Sequence, residues 1–320
     1  MSLALDMFRA LADPTRLRIV ALLRAMELSV GELAQVLGQS QPRVSRHVKI
    51  LTDAGIAGRR KEGSWVFLGT GPQKRTATLF SAIDSWNDSE GGDHWARADT
   101  ARLAAVRADR AAAAARYFEA HAGEWDAMRS LHAPESAVEA AMIAALADAP
   151  LGQIADIGTG TGRMLELFAP AATRAVGIDR SSEMLRLARA KLADVAACPI
   201  DLRQGDISDL RLADDSVDTV ILHQVLHYLP APEAAIAELT RVLAHNGRLL
   251  IVDFAPHDHE ALRDRDAHAR LGFSDAQIGD WFTRAGLTLD HAESLEGGAL
   301  TVKIWRGTRF APPQLKVVAA

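Results

Sequence analysis

The chain has 320 residues and a formal net charge of −5, and its length favours about two domains. Its single cysteine, Cys198, excludes an internal disulfide framework and a thiolate metal cluster, and fits a reducing compartment. Charged residues such as Asp6, Arg9 and Asp13 interrupt the apolar stretches near the N-terminus, and no run reaches the ~20 apolar residues of a membrane span. We therefore expect a cytoplasmic protein without a signal peptide or a membrane contact.

The charge is distributed unevenly along the chain. Residues 1–75 contain 12 basic and 6 acidic side chains, a balance of +6, so the remainder carries −11. A basic first quarter on an otherwise acidic chain indicates a polyanionic partner for that quarter alone.

Four short helices are predicted near the N-terminus. They cover residues 5–11, 13–25, 30–37 and 41–54. Asp13 followed by Pro14 is a helix-start signal. Gly38 can end the third helix in a left-handed conformation, and Ser40 is expected to cap the fourth. Two short helices joined by a glycine-containing turn indicate a helix-turn-helix.

The fourth helix separates into an apolar and a polar face. Val44, Val48 and Leu51 share the i, i+4, i+7 spacing of a core stripe. Outside that stripe lie the candidate DNA-binding residues Gln41, Arg43, Ser45, Arg46, His47 and Lys49. Such a helix can enter a major groove, with its first side chains near base edges and its basic groups on phosphates.

A basic hairpin is predicted directly after this helix. Two short β-like runs, Ile56-Ala57 and 65–68, flank the polar segment 58–64. The segment carries three candidate phosphate-binding residues, Arg59, Arg60 and Lys61. The hairpin therefore has the composition of a DNA-binding wing.

Three segments in order, 12–23, 31–56 and 58–68, resemble the ArsR/SmtB winged-helix repressors. The resemblance implies a homodimer that binds double-stranded DNA at an inverted repeat. It also implies that residues 73–86 form the helix that joins the two copies. The apolar side of that helix would consist of Leu79, Phe80, Ile83 and Trp86.

The chain lacks the metal ligands of many ArsR/SmtB repressors. Residues 27–31 contain no cysteine where those repressors carry a cysteine pair, and the helix at 73–86 contains Asp84 but no histidine. We therefore expect no bound metal and no sensing of thiophilic metals. The regulatory signal must then enter through another part of the chain.

A polar segment with a Gly-Gly break, residues 87–100, predicts a domain boundary. The Ala- and Arg-rich residues 99–120 are expected to form a solvated connecting helix, and residues 117–146 to cover or buttress the next domain. The expected division is a DNA-binding and dimerisation domain at 1–90, a helical linker at 91–148, a ligand-binding domain at 149–308 and a tail at 309–320.

Strands and helices alternate from residue 152 onward. Strands are predicted at 153–157, 174–178, 200–204, 217–222 and 248–254, and helices at 162–170, 181–194, 207–211 and 232–244. This alternation indicates a doubly wound, mostly parallel sheet. A helix at 274–285 and strands at 287–293 and 299–306 would close it. The overall fold class is α/β, with a mostly helical N-terminal winged helix.

Polar residues follow four of these strands, at the sheet edge where ligands bind in open α/β folds. The candidate binding residues are Asp156, Gly158, Gly160, Gly162, Asp179, Asp206, Ile207 and His223. Glycines at a strand-to-helix turn let a ligand approach the backbone closely. Asp179 can accept from both ribose hydroxyls, and Asp206 from an adenine amino group.

Residues 150–306 resemble class I S-adenosylmethionine-dependent methyltransferases. The resemblance implies a Rossmann-like fold that binds S-adenosylmethionine or its demethylated product, S-adenosylhomocysteine. It places Asp156 near the methionine amino group and the glycines at the amino-acid end of the ligand.

Catalysis would require a base for the acceptor's proton. The candidates are His223, His227, Tyr228, His257, Asp258, His259 and His268, of which His223 and His227 are preferred. His223 and His227 at i, i+4, together with His257 and His259, could also be read as a metal site. That reading is not favoured, because the histidines lie on different loops.

Three functions remain compatible with the sequence. The first is a transcription regulator whose methyltransferase-like domain binds either nucleoside as an effector. The second is an active small-molecule methyltransferase that also binds DNA. In the third, the helix-turn-helix serves only in dimerisation or protein contact. The first is preferred, since a cofactor fold cannot by itself establish turnover.

Overall fold

The computed structural model describes residues 3–62, 65–89, 97–106, 108–109, 134–193 and 198–310. The chain forms two compact units, Met1–Ala112 and Ala113–Ala320. Within the described residues, no helix combines the length and apolar composition needed to cross a membrane.

The first unit is a winged helix-turn-helix. Its elements are α1 (Leu3–Leu11), α2 (Pro14–Ala25), β1 (Leu28–Ser29), α3 (Val30–Leu37), α4 (Gln41–Asp53), β2 (Ala57–Glu62), β3 (Trp65–Thr70) and α5 (Gln73–Ser89). The three strands form an antiparallel sheet in the order β1-β3-β2, so that β2 and β3 make the predicted hairpin.

Local capping explains the start of α2 and the end of α3. The Asp13 side chain accepts the backbone N–H of Arg16 at 3.1 Å, with Pro14 at the first helical position. Gly38 ends α3 in the left-handed region, at φ 65°. Ser40 occupies the N-cap position of α4, as predicted, and its carbonyl accepts the N–H groups of Arg43 and Val44, but its hydroxyl makes no capping bond.

The predicted core stripe of α4 is confirmed. Val44, Val48 and Leu51 are fully buried. They pack among apolar residues of α2, α3 and the hairpin, among them Ile19 and Leu33. Burial of this stripe turns the opposite face of α4 outward.

Residues 97–106 are helical and belong to the first unit. Leu103 and Val106 are buried there, and the buried Asp99 accepts two hydrogen bonds from Arg18 in α2 at 2.6 and 2.7 Å. Arg102 donates to the carbonyl of Val36 in α3 at 3.1 Å. The prediction of a solvated connecting helix is therefore wrong for this part, and most of residues 107–120 lies outside the described residues.

The second unit is a three-layer α/β domain. Its helices are α6 (Glu135–Leu146), α7 (Arg163–Phe168), α8 (Ser182–Leu192), α9 (Pro232–Val242), α10 (Ala261–Arg265) and α11 (Asp275–Ala285). Its strands are β4 (Gln153–Ile157), β5 (Arg174–Asp179), β6 (Ile200–Gln204), β7 (Val217–His223), β8 (Leu243–Phe254), β9 (Thr288–Leu295) and β10 (Val302–Thr308). The sheet order is β6-β5-β4-β7-β8-β10-β9.

The sheet is mostly parallel, which confirms the predicted fold class. Strands β4 to β8 pair in parallel, and β10 pairs antiparallel to both β8 and β9. One apolar core lies on each face of the sheet, and Val138 and Met142 of α6 contribute to one of them. The described part of segment 117–146 therefore buttresses the domain. Parallel pairing also brings the carboxyl ends of β4, β5, β6 and β7 to one edge.

Several of the predicted elements differ from the structure, among them β8, which begins at Leu243 and not at 248. Residues 207–211 form turns and not a helix. The Asp206 carboxylate accepts the backbone N–H and the hydroxyl of Ser208, at 2.9 and 2.6 Å, and such a local bond competes with helix formation. The two closing strands, β9 and β10, each begin and end later than expected.

Truncation of the α4 core should destabilise the first unit selectively. Leu51→Ala removes fully buried methyl groups and should lower the free energy of unfolding by roughly 2–5 kcal/mol. The neighbouring Ile50 is 38% exposed, so Ile50→Ala should change it by less than ~0.5 kcal/mol. Urea unfolding of both variants gives the comparison, and equal losses would contradict this orientation of α4.

Candidate functional site

The outer face of α4 carries five of the six candidate DNA-binding residues. The side chains of Gln41, Arg43, Ser45, Arg46 and Lys49 are exposed. The ammonium group of Lys49 pairs with Asp53 at 2.9 Å on the same helix. His47 differs, because its ring is half-buried with Nδ1 3.8 Å from a carboxylate oxygen of Asp13.

The three basic residues of the hairpin fall on two sides of β2. Arg59 and Lys61 are exposed, whereas the intervening Arg60 turns toward the body of the unit. Its guanidinium donates to Glu27 at 2.8 Å and lies 5.3 Å from the centre of the Phe67 ring. Arg60 thus connects the hairpin to the start of β1, a contact the sequence analysis did not anticipate.

The predicted apolar face of α5 is half-buried within the single chain at Leu79, Phe80 and Ile83, and the Trp86 side chain lies outside the described residues. Asp84 accepts two hydrogen bonds from Arg24, at 2.7 and 2.8 Å, and these bonds lower the pKa of Asp84. The described residues contain no group of three or more His, Cys, Asp or Glu side chains arranged to hold a metal ion.

In the second unit, a glycine turn joins β4 to α7. Gly158, Gly160 and Gly162 have φ values of 72°, 52° and 84°, where a residue with a Cβ is strained. A Cβ at Gly158 would also overlap the side chain of Val225, in the loop after β7. The absence of a Cβ at Gly158 therefore allows the loop after β7 to pack closely against this turn.

Two buried carboxylates organise this turn. Asp156 is 1% exposed and accepts the hydroxyl of Thr159 at 2.5 Å. Asp179, the last residue of β5, accepts the backbone N–H of Gly160 at 2.9 Å and of Ser181 at 2.8 Å. Burial raises the pKa of Asp179, and the bonds from Ser181 and Gly160 oppose that rise. Asp179 thereby joins the glycine turn to the neighbouring strand.

An open cavity of about 400 Å³ lies beyond Asp179 at the same edge. It is lined by Arg180, Gln204, Gly205, Asp206, Asp209 and Arg211. Burial raises the pKa of Asp206, but hydrogen bonds from Ser208 and the charge of Arg180, 3.3 Å away, bring it below its ordinary value. Asp206 is therefore a carboxylate acceptor on the cavity wall, and the next residue, Ile207, packs against a core.

The preferred catalytic histidines occupy different environments. His223 is the partly exposed last residue of β7, and Gln224 after it has φ 53°, an uncommon backbone conformation for glutamine. His227 is buried, with Nδ1 2.9 Å from Oδ1 of Asp253 in β8. Asp253 is not among the residues predicted for the site, although it is the lone acid inside the apolar run at 249–254.

Rings from two loops gather around His227. The ring centres of Tyr228, His268 and Phe254 lie 4.0, 4.2 and 5.0 Å from that of His227. The ring centre of His257 lies 6.4 Å from that of His268, and the ring centre of His259 lies 5.5 Å from that of His257. The structure therefore brings together five of the seven candidate bases at the ends of β7 and β8.

Comparison with known protein families matches each unit to a different one. The family of bacterial regulatory proteins named arsR matches residues 13–58, and a methyltransferase domain family matches residues 155–251.

Curated relatives divide in the same way. An arsenic resistance transcriptional regulator from Pseudomonas putida is 36% identical over 104 residues, which cover 30% of this chain and 74% of that protein. The arsenical resistance operon repressor of Escherichia coli is 45% identical over 71 residues, covering 22% and 61%. A phosphatidylethanolamine N-methyltransferase from Cereibacter sphaeroides is 34% identical over 108 residues, covering 33% and 53%. The chain thus spans about half the length of this last relative.

Among solved structures, the second unit is similar to the N-methyltransferase NodS from Bradyrhizobium japonicum in complex with S-adenosyl-L-homocysteine. The TM-score is 0.52 at 20% identity, covering 61% of this chain and 98% of NodS. A putative methyltransferase from a Haloferax volcanii complex gives 0.51 at 22% identity, covering 61% and 98%. At these identities the likeness shows the fold alone.

Loss of the Arg60 contacts should weaken the hairpin. Arg60→Ala removes a half-exposed ion pair and a cation–π contact, so the first unit should lose about 1 kcal/mol of unfolding free energy. Arg59→Ala, one residue away on the exposed side, should leave it unchanged. Thermal unfolding of both variants tests this, and an unaffected Arg60→Ala protein would show that the pair contributes nothing.

Proposed function

The chain belongs to the ArsR family of bacterial regulatory proteins, and we propose that it is a transcription regulator with S-adenosylmethionine or S-adenosylhomocysteine as its effector. The observation that carries this proposal is the union, in one chain, of a winged helix-turn-helix and a methyltransferase domain. Residues 27–31 contain no thiol that could sense a metal, which favours the second unit as the place where the signal would enter.

The first unit would bind double-stranded DNA as a cytoplasmic homodimer on an inverted repeat. The exposed Gln41, Arg43 and Arg46 near the start of α4 suit base edges in a major groove. Arg59 and Lys61 on the outer side of the hairpin suit phosphates. Arg60 would act indirectly, because its contacts with Glu27 hold the hairpin in place.

The second unit offers a matched set of groups for either nucleoside. The left-handed glycines form the turn against which the amino-acid end of the ligand would lie. Each Asp179 oxygen already accepts one backbone N–H, and its second lone pair can accept a ribose hydroxyl. Asp206, on the wall of the 400 Å³ cavity, can accept an adenine amino group. The nucleoside complex of NodS, which has the same fold, supports this assignment.

The helix at 97–106 supplies a route for coupling. It follows the winged helix in the chain, precedes the methyltransferase unit, and is held to α2 by Asp99 and to α3 by Arg102. A ligand-dependent shift of this helix would move α2 and α3, the two helices that position α4. A coupling free energy of ~1–3 kcal/mol would change DNA affinity roughly 5–150-fold.

Titration of the full-length protein with each nucleoside by calorimetry tests effector binding. A gel shift on the protein's own promoter region, with and without ligand, then tests the regulatory role. We expect one nucleoside to bind and to change operator affinity at least fivefold. Tight ligand binding with constant operator affinity would refute the regulatory proposal.

Substitution at Asp179 should weaken nucleoside binding and leave the affinity for DNA unchanged. Asp179→Asn loses a charge-assisted acceptor worth ~1.5–3 kcal/mol, so the dissociation constant should rise about 10- to 100-fold. Asp201→Asn makes the same change on β6, where Asp201 is partly exposed and paired with Arg203. Calorimetry should find that control unchanged, and equal effects of the two substitutions would remove Asp179 from the site.

Asp99→Asn should weaken the effect of ligand binding on DNA affinity. An amide cannot accept both Arg18 hydrogen bonds, so the helix at 97–106 should be held less firmly to α2. We expect the ligand-dependent change in operator affinity to fall toward onefold, with the ligand dissociation constant unchanged. The exposed Asp109 gives a matched control in Asp109→Asn. Full coupling in the Asp99 variant would exclude this route.

A further inference from the structure

A histidine–aspartate pair is buried at the ends of β7 and β8. His227 is 1% exposed and Asp253 is fully buried. The Asp253 carboxylate lies 2.9 Å from Nδ1 of His227, and also accepts the backbone N–H groups of His227 at 3.2 Å and Phe254 at 2.8 Å. Because a carboxylate only accepts, Nδ1 is the donor in this pair, and Nε2 is the ring nitrogen left to accept a proton.

Nε2 of His227 is buried and has no hydrogen-bond partner within the part of the chain that the structure describes. An unsatisfied buried acceptor is unfavourable, and such atoms are uncommon unless they serve a ligand or a reaction. An oriented imidazole with a free basic nitrogen is the arrangement that general-base catalysis requires.

The pair lies at the edge that carries the proposed nucleoside site. His227 belongs to the 3-10 turn Leu226–Tyr228, directly after β7, and Val225 just before that turn packs against Gly158. The imidazole of His227 is surrounded by the rings of Tyr228, Phe254 and His268. The backbone carbonyl of His227 accepts the backbone N–H of the buried Arg270. Acceptor binding therefore requires one of these rings to turn aside.

We propose that His227 and Asp253 are a general-base pair that deprotonates a phenolic or enolic hydroxyl, so that the chain is also a methyltransferase. The surrounding rings favour a flat, conjugated acceptor. A hydroxyl needs a base to become a nucleophile, whereas a neutral amine already carries a lone pair. The proposal depends on the nucleoside site described above, but not on DNA binding.

The proposed reaction transfers a methyl group to the acceptor oxygen and a proton from that oxygen to His227. S-adenosylmethionine, when bound, supplies the methyl group from its sulfonium. The acceptor oxygen passes its proton to Nε2 of His227 and bonds to the methyl carbon, whose bond to sulfur breaks with the electron pair left on sulfur. The products are a methyl ether and S-adenosylhomocysteine. Asp253 stabilises the imidazolium until the proton leaves to solvent.

The first experiment needs no turnover. The full-length protein is mixed with 4-nitrophenol, with and without S-adenosylhomocysteine, and phenolate absorbance is followed against pH. We expect binding to lower the apparent pKa of the phenol. His227→Gln and Asp253→Asn should abolish the shift, because they remove the proton acceptor or its orienting carboxylate. The same absorbance curve in wild type and His227→Gln would overturn the proposal.

The second experiment measures turnover with S-adenosylmethionine and either 4-nitrophenol or catechol, through mass-spectrometric detection of the methyl ether. His227→Gln should lower kcat roughly 10²–10⁴-fold and leave the KM for S-adenosylmethionine unchanged. His245→Gln is the matched control, since His245 lies 3.9 Å from Asp215 at the other end of β8 and is half-exposed. Loss of activity in both variants would indicate a general structural effect and overturn the assignment.

Calorimetry separates failure of this inference from failure of the proposed effector role. Protein that binds S-adenosylmethionine but forms no ether with either phenol would overturn the inference alone. Protein that binds neither nucleoside would overturn both the effector role and the methyl transfer, and the nitrophenol measurement without nucleoside would still decide whether His227 is a base. Where His227→Gln does not fold, Asp253→Asn and the wild-type pH profile carry the test.

Discussion

Two hydrogen bonds that Asp179 accepts at the end of β5 position the turns at the edge of the sheet where a ligand would bind. They join the N–H of Gly160, in the turn after β4, to the N–H of Ser181, at the start of α8. The carboxylate thus connects two strand-to-helix turns across a parallel strand pair. Its burial is unfavourable for the charge, and backbone donors offset that cost at the place where a ribose would bind.

The same edge of the sheet also carries the candidate general base, His227. Val225 packs on Gly158, so the loop after β7 is positioned by the glycine turn, and that loop carries His227. The proposed nucleoside site and the candidate base therefore share one supporting element. Regulation and catalysis would then be compatible in one protein, because turnover would convert one effector form into the other.

Much of the architecture could be predicted because it follows from local patterns. The apolar stripe of α4, the left-handed Gly38 and the alternation of strands and helices each depend on residues close in the chain. Predictions were wrong where a side chain competes with the backbone or a distant partner intervenes. Asp206 accepts the backbone N–H of Ser208 in a turn where a helix was predicted at 207–211, and Arg18 pairs with the buried Asp99 in a segment predicted to be solvated.

Patterns along the chain are enough to predict that a winged helix-turn-helix precedes a doubly wound sheet and that polar residues end four of its strands. They do not predict which distant side chains meet. Arg60 contacts Glu27 33 positions earlier, and His227 contacts Asp253 26 positions later. Strand order and hairpin register set such distances, and neither can be deduced from spacing along a single chain.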